Sequence, residues 1–259
     1  MKILVVAAML FIVSCNSADK QENVSMQGAY KMLSQSVNDG KKDTTYTSLQ
    51  QMKIYTDKYM MYANVNPADS MSSFAIASYT SDKDTVTENI IYGAYDTSVD
   101  NSGSFKLIIE KSAKGYKQVI PDILSQGEHI KLTEEYDSAV AGGATALDGA
   151  WKQAKSYYIK GKDTSAVKGT QYKTYHQGNV IWGNTYADST NKIHTGIGFG
   201  TFTMSGNNKV KESMTASNYS DVIGHDFDVD IEMNGTDGFT QTITYPDGTK
   251  GIEVYERLK

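Results

Sequence analysis

The segment Asp226-Phe-Asp-Val-Asp-Ile-Glu-Met233 alternates acidic and apolar residues without interruption. Successive side chains of a β-strand point to opposite faces, so this segment predicts one apolar face and one acidic face. That pattern is typical of a half-buried antiparallel strand. No stretch of comparable length shows a helical period, and the chain is rich in tyrosine, serine and threonine, so we predict an all-β protein.

Residues 149–259 contain eight such strand-like runs, which begin near residues 149, 168, 179, 193, 209, 226, 239 and 249. The residues that tight hairpins require stand between them: Gln177-Gly178, Ser205–Asn208, Asn234-Gly235 and Asp247-Gly248. Eight short strands joined by hairpins predict an up-and-down barrel, which removes its own edges. An open sandwich of the same strands is the competing architecture.

The pattern occurs twice in the chain. Short segments recur in the same order at an offset of 120 to 124 residues, and they are Gly28–Lys31 with Gly149–Lys152, Lys53–Tyr55 with Lys173–Tyr175, Val86–Ile90 with Val210–Met214, Ser104–Glu110 with Asp226–Glu232, and Ile130–Glu134 with Ile252–Glu256. We therefore predict two tandem eight-stranded antiparallel barrels, at 26–136 and 148–259. The small-residue segment 137–147 is the predicted linker.

The N-terminus predicts export and lipid anchoring. Met1-Lys2 is followed by a short apolar run and then by Ile12-Val13-Ser14-Cys15. A positive start, an apolar stretch and a small residue before the cut are the signature of a signal peptide, here residues 1–14. The last four residues resemble the lipobox of bacterial lipoproteins, and Cys15 is the sole cysteine. We expect a lipid on Cys15, a solvated tether at 15–25, and anchoring to the cell envelope at the outer membrane.

Composition argues against several functions. The net charge of −5 and the lack of a Lys/Arg-rich patch argue against nucleic-acid binding. The four histidines show no metal-ligand spacing, and no nucleophile elbow or phosphate loop occurs. We therefore expect no catalytic residue, no metal and no cofactor.

Glutamates on apolar strand faces are the candidate polar site. Glu88 and Glu212 each lie two residues from apolar neighbours on both sides, as do Glu134 and Glu256. A carboxylate that points into a barrel must be paired, hydrated or protonated. The expected partners are Lys53 and Lys173 on the second strands. The set is interpreted either as a polar anchor in a ligand cavity or as a structural ion-pair cluster.

Aromatic residues of the second repeat are candidates for the cavity wall. Tyr175, Trp182 and Phe199 could line a ligand cavity, or they could simply fill the barrel. An eight-stranded barrel is just wide enough for either arrangement. A void of about 300 Å³ or more would favour ligand binding.

The second repeat, from Leu147 to Lys259, resembles the lipocalin-like (calycin) proteins, especially the short secreted bacterial ones. The resemblance rests on Gly149-Ala150-Trp151-Lys152, on the strand Gly196–Thr203 and on the closing segment Glu253–Leu258. It implies that Gly149 and Trp151 lie at the closed barrel end, with Arg257 packed on the indole as a structural plug.

The first repeat departs from this pattern. Tyr30 stands in place of the tryptophan, and an offset of 122 places Glu135 at the position of the basic residue. The cation–π plug is therefore expected to be absent from the first barrel. The second barrel, the better match, is where we expect a ligand first.

These observations predict a non-enzymatic envelope lipoprotein that binds a small hydrophobic or amphipathic molecule. The alternative is a structural module with filled barrels, whose acidic outer strand 226–232 docks an envelope protein. A third reading is an acid–base enzyme that uses the inward glutamates.

Overall fold

The computed structural model describes residues 23–68, 71–95, 98–100, 102–125, 127–140, 142–206 and 208–259. The predicted signal peptide, Cys15 and most of the predicted tether lie outside these residues. All regular structure in the described part of the chain is β-strand, so the all-β prediction is confirmed. Within those residues no helix has the length and apolar character needed to cross a membrane.

The first barrel contains ten strands. They are Gly28–Asn38 (β1), Asp43–Tyr46 (β2), Gln50–Tyr55 (β3), Tyr59–Val65 (β4), Ser72–Asp82 (β5), Thr85–Tyr95 (β6), Ser98–Asp100 (β7), Ser104–Lys111 (β8), Gly115–Ser125 (β9) and Glu128–Ser138 (β10). All pairings are antiparallel, and β10 returns to pair with β1, which closes the barrel.

The second barrel contains nine strands. They are Gly149–Lys160 (β11), Asp163–Ala166 (β12), Thr170–His176 (β13), Asn179–Ala187 (β14), Ile193–Ser205 (β15), Lys209–Ser217 (β16), Asp226–Met233 (β17), Gly238–Thr244 (β18) and Lys250–Arg257 (β19). Pairing of β19 with β11 closes it in the same way.

Each barrel has eight strand positions because some positions are shared by two short strands. β2 and β3 pair with successive parts of β1, and β7 and β8 pair with successive parts of β6. β12 and β13 divide β11 likewise. The prediction of two closed, eight-stranded antiparallel barrels in sequence order is therefore confirmed. β12 was missing from the predicted strands of the second repeat.

The two barrels pack side by side through the outer faces of β3–β5 and β13–β15. One continuous apolar cluster fills the contact, and its buried residues include Met52, Ile54, Met61, Phe74, Ile76, Ile181, Ile197 and Phe199. Phe74 lies against Gly183, where an added Cβ would approach the ring to 2.4 Å. The strands at this contact are buried on both faces, since one face lines a barrel and the other meets the second barrel.

Both barrels point the same way. We call closed the end filled by Met26 and Tyr30 in the first barrel, and by Leu147 and Trp151 in the second. Tyr59, beside the closed end of the first barrel, donates a hydrogen bond to the carbonyl of Lys259, which follows the last strand of the second. The opposite ends are joined as well, where the side-chain amide of Asn218 donates to the Ser72 hydroxyl at 3.0 Å. The two open ends therefore lie next to each other.

Candidate functional site

Each barrel interior holds the same set of eight polar residues, and most of the hydrogen bonds among them are the same in both barrels. The equivalent pairs are Gln51/Gln171, Lys53/Lys173, Tyr55/Tyr175, Asn64/Asn184, Glu88/Glu212, Gln118/Gln241, Glu134/Glu253 and Tyr136/Tyr255. Alternation along each strand brings these side chains inward. We call the two sets the first and the second polar network.

In the first polar network Lys53 lies 2.7 Å from a carboxylate oxygen of Glu88. Its ammonium also donates to Gln118 at 3.3 Å. The amide of Gln118 donates in turn to Glu134, whose carboxylate also accepts the hydroxyl of Tyr136 at 2.8 Å. All three charged side chains are buried, and a buried charge needs such partners.

The second polar network has the same geometry. Lys173 donates to the two oxygens of Glu212 at 2.9 and 3.2 Å and to Gln241 at 2.9 Å. Gln241 donates to Glu253 at 2.9 Å, and the hydroxyl of Tyr255 donates to the same carboxylate at 2.6 Å. The two lysine–glutamate pairs that the sequence suggested are thus each part of a larger network.

Buried tyrosines complete the networks. Tyr55 donates to Glu88, and Tyr175 donates to Glu212 at 2.5 Å. Burial raises the pKa of both hydroxyls well above 10, and the neighbouring glutamate charge raises it further. The pKa values of Tyr136 and Tyr255 are raised for the same two reasons. All four hydroxyls therefore stay protonated near neutral pH and remain donors to the carboxylates.

The prediction of Glu256 as a cavity residue is wrong. Glu256 is exposed on the outer face of β19, opposite Lys152, whereas Glu253 and Tyr255 point inward. Both faces of this strand carry apolar and polar residues, so the sequence does not show which face points into the barrel. The true counterpart of Glu134-Glu-Tyr136 is Glu253-Val-Tyr255, at an offset of 119 residues.

Phe199 is also placed elsewhere than predicted. It points out of β15 into the apolar cluster between the barrels and does not line a cavity. Trp182 does line the second cavity, with Lys173 and Glu212, and Tyr175 lies beneath it in the network. An outward strand face covered by a second barrel is as apolar as an inward one, which is why sequence alone assigned Phe199 to the interior.

Sequence reasoning missed the glutamines, Glu253 and the network tyrosines other than Tyr175. A repeated signal was nevertheless present. The motif Gln-x-Lys-x-Tyr occurs at residues 51–55 and again at 171–175, and Glu-x-Tyr occurs at 134–136 and 253–255. A period of two places all residues of each motif on one strand face.

The closed end of the second barrel has the arrangement that the resemblance implied. The Arg257 guanidinium lies 3.9 Å from the centroid of the Trp151 ring. The indole donates to the carbonyl of Leu147 at 2.7 Å. A Cβ at Gly149 would lie 2.0 Å from the guanidinium, so the close approach of Arg257 depends on this glycine.

The first barrel has a cation–π contact too, contrary to expectation. Lys111 lies 4.9 Å from the Tyr30 ring centroid and donates to its hydroxyl at 2.9 Å. The residue opposite Tyr30 on β10 is Ser138, and not Glu135 as the offset suggested. The cation comes from β8 and not from the last strand. Comparing the position equivalent to Arg257 in the first repeat could not reveal it.

A cavity of about 550 Å³ lies above the first polar network. Its floor contains Lys53, Glu88, Gln118 and Glu134. Its wall is largely apolar, formed by Ile90, Phe105, Ile120, Ile123 and Leu132. Met71 and Tyr95, which also line it, are 56% and 41% exposed, so the cavity reaches solvent at the open end.

The second cavity is smaller, at about 210 Å³. Trp182 occupies the position of Tyr62, its ring against Gly198, where a Cβ would lie 2.5 Å from the indole. Tyr219 stacks on this indole, and Val222 of the same loop lines the cavity. Contrary to expectation, the second barrel therefore has less room for a ligand than the first, because the loop and the tryptophan occupy part of its interior.

Metal-ligand geometry is not seen among the residues that the structure describes. His129 and His194 each lie beside one aspartate, Asp122 at 2.6 Å and Asp188 at 2.8 Å. Burial lowers the pKa of His176. None of these three histidines contributes a contact to the polar networks.

Comparison with known proteins adds little. The chain matches no protein family model. It matches no curated protein either. A crystal structure of a protein of unknown function from the DUF3598 family of Nostoc punctiforme is 9% identical, with a TM-score of 0.27, over 90% of this chain and 96% of that one. We draw neither fold nor function from a likeness at these values.

Proposed function

We propose that this chain is a lipid-anchored cell-envelope protein whose first barrel binds a small, partly apolar ligand. The observation that carries the proposal is the cavity of about 550 Å³. Ligand pockets typically enclose about 300–1,000 Å³, with apolar walls and a few convergent polar groups. The first barrel combines these features, with the polar groups gathered on the cavity floor.

The anchor follows from Cys15 and the lipobox-like residues before it. Lipidation would hold the protein at a membrane without any spanning segment. We expect a labelled fatty acid fed to producing cells to be incorporated into the protein and to be absent from a Cys15→Ser variant. Labelling that survives this substitution would contradict the proposed anchor.

Ile120→Trp is designed to fill the first cavity. Ile120 lines the cavity wall, so an indole there occupies ligand space and the barrel surface is unchanged. The probe is N-phenyl-1-naphthylamine, a neutral fluorophore of three aromatic rings that brightens in apolar surroundings. We expect the parent protein to bind it and Ile120→Trp to weaken binding by about tenfold or more, the loss of roughly 1.4 kcal/mol.

Ile108→Trp is the matched control. Ile108 is on a neighbouring strand of the same barrel but is 41% exposed on its outer face. Binding should be unchanged in this variant. If the parent protein does not bind the probe, or if both tryptophan variants bind it equally, ligand binding in the first cavity is refuted. A filled module that docks an envelope partner would then be the better proposal.

A further inference from the structure

The first polar network contains one more carboxylate than it has cations. Lys53, Glu88 and Glu134 are its charged members, and they are 3%, 4% and 5% exposed. Lys53 is paired with Glu88. In the part of the chain that the structure describes, no lysine, arginine or histidine forms an ion pair with Glu134. With one lysine and two carboxylates, the formal charge of the network is −1.

Among the described residues, the hydrogen-bond donors to Glu134 are all neutral. One of its oxygens accepts the Gln35 amide at 2.8 Å, and the other accepts Gln118 and the Tyr136 hydroxyl. A carboxylate oxygen can accept about two hydrogen bonds, so the oxygen beside Gln35 retains capacity for another donor. Glu134 lines the cavity, and a group entering it can therefore reach this carboxylate.

The cavity wall also suits a positive charge. Tyr62, Tyr95 and Phe105 present aromatic rings to the same space. An aromatic face attracts a cation within about 6 Å of its centroid, and the attraction grows as water is excluded. An anion would meet the surplus carboxylate, and the ammonium of Lys53 is already engaged by Glu88 and Gln118.

We propose that the ligand of the first barrel is an organic ammonium ion with an apolar body, and that Glu134 receives its head group. This inference rests on the proposed function and names the chemical class of the ligand. The apolar body lies along Ile90, Ile120 and Leu132, and the ammonium reaches the floor. Glu253 has the same surplus charge in the second barrel, but about 210 Å³ leaves little room for such a body.

The test compares three eight-carbon compounds at neutral pH: octylamine, octanol and octanoate. They share one apolar chain and differ only in head-group charge. Each is titrated against N-phenyl-1-naphthylamine bound to the full chain, and the displacing concentration is measured. We expect octylamine to displace the probe at about a tenfold lower concentration than octanol, because a charge-assisted hydrogen bond is about twice as strong as a neutral one. Octanoate should be the weakest.

Glu134→Gln removes the charge and keeps the shape of the side chain. We expect it to weaken octylamine to the level of octanol and to leave octanol unchanged. Glu253→Gln, the matched change in the second barrel, should alter neither. If Glu134→Gln does not fold, the order in which octylamine, octanol and octanoate displace the probe from the parent protein is itself the test.

Two failures can be told apart. If the probe and octanol bind but octylamine has no advantage, or octanoate binds best, the ammonium inference is wrong and the cavity still binds ligands. If Glu134→Gln binds octylamine as the parent does, Glu134 is not its acceptor and the inference is likewise overturned. If neither the probe nor any of the three compounds binds, the proposed function itself has failed.

Discussion

Lys173→Met is expected to lower the free energy of unfolding by about 3–5 kcal/mol, the usual loss when one partner of a buried ion pair is removed. Lys173 and Glu212 are 3% and 4% exposed. Methionine cannot donate to Glu212 or Gln241, so a carboxylate would remain inside the barrel without its cation. Urea unfolding followed by tryptophan fluorescence measures this loss, because both tryptophans, Trp151 and Trp182, lie in the second barrel.

Lys160→Met is the matched control for this prediction. Lys160 lies 2.9 Å from Asp247, the same distance as between Lys173 and Glu212, but this pair is on the surface. Solvent screens exposed pairs, so little change in stability is expected. The double variant Lys173→Met/Glu212→Gln should recover part of the loss, since the unpaired charge is gone. Equal losses in Lys160→Met and Lys173→Met would show that burial does not set the strength of these pairs.

Phe74→Ala is expected to cost about 3–5 kcal/mol and to uncouple the two barrels. The Phe74 ring fills the contact between them, next to Tyr92 and against Gly183. Circular dichroism reports on both barrels, whereas tryptophan fluorescence reports on the second. In the parent protein the two unfolding curves should coincide, and in Phe74→Ala they should separate.

Gly183→Ala provides the complementary change on the second barrel. Its Cβ would approach the Phe74 ring to 2.4 Å, so the barrels must shift apart. Alanine at position 74 removes that clash, and the double variant Phe74→Ala/Gly183→Ala should be more stable than the sum of the two losses predicts. Strictly additive losses, or coincident unfolding curves in Phe74→Ala, would contradict the packing of the barrels seen here.

The recurrence of short motifs was enough to predict the duplication and the barrel. Alternation in Asp226–Met233 is unambiguous because one face of β17 meets solvent. Where solvent contacts neither face of a strand, both faces are buried and the alternation no longer shows which one points into the barrel. In β3 the residues from Gln51 to Tyr55 are all buried, the odd-numbered ones in the barrel and the even-numbered ones against the second barrel. The misplacement of Phe199 has the same origin.

Register explains the errors at the last strand. β1 and β11 each contain a bulge, between Met32 and Ser34 and between Gln153 and Lys155. These bulges lie at equivalent positions, so they leave the offset between the repeats unchanged. Tyr30 and its partner Ser138 are 108 residues apart, whereas Trp151 and its partner Arg257 are 106 residues apart, so the offset falls from 121 residues at the first strand to 119 at the last. For this reason Glu253, and not Glu256, matches Glu134, and Ser138, and not Glu135, faces Tyr30.

The sequence by itself determined the β-strand content, the two barrels, the Trp151–Arg257 contact that the resemblance implied, and the lysine–glutamate pairs, because these depend on local alternation and on the motifs that each repeat retains. Tertiary structure alone decided which barrel has room for a ligand and how the barrels lie together. Cavity volume is the space that remains after many side chains have packed. The loop residues Tyr219 and Val222 lie at the second cavity and reduce its volume without altering any strand. The direction of the open ends depends on contacts between residues far apart in the chain, such as Ser72 and Asn218.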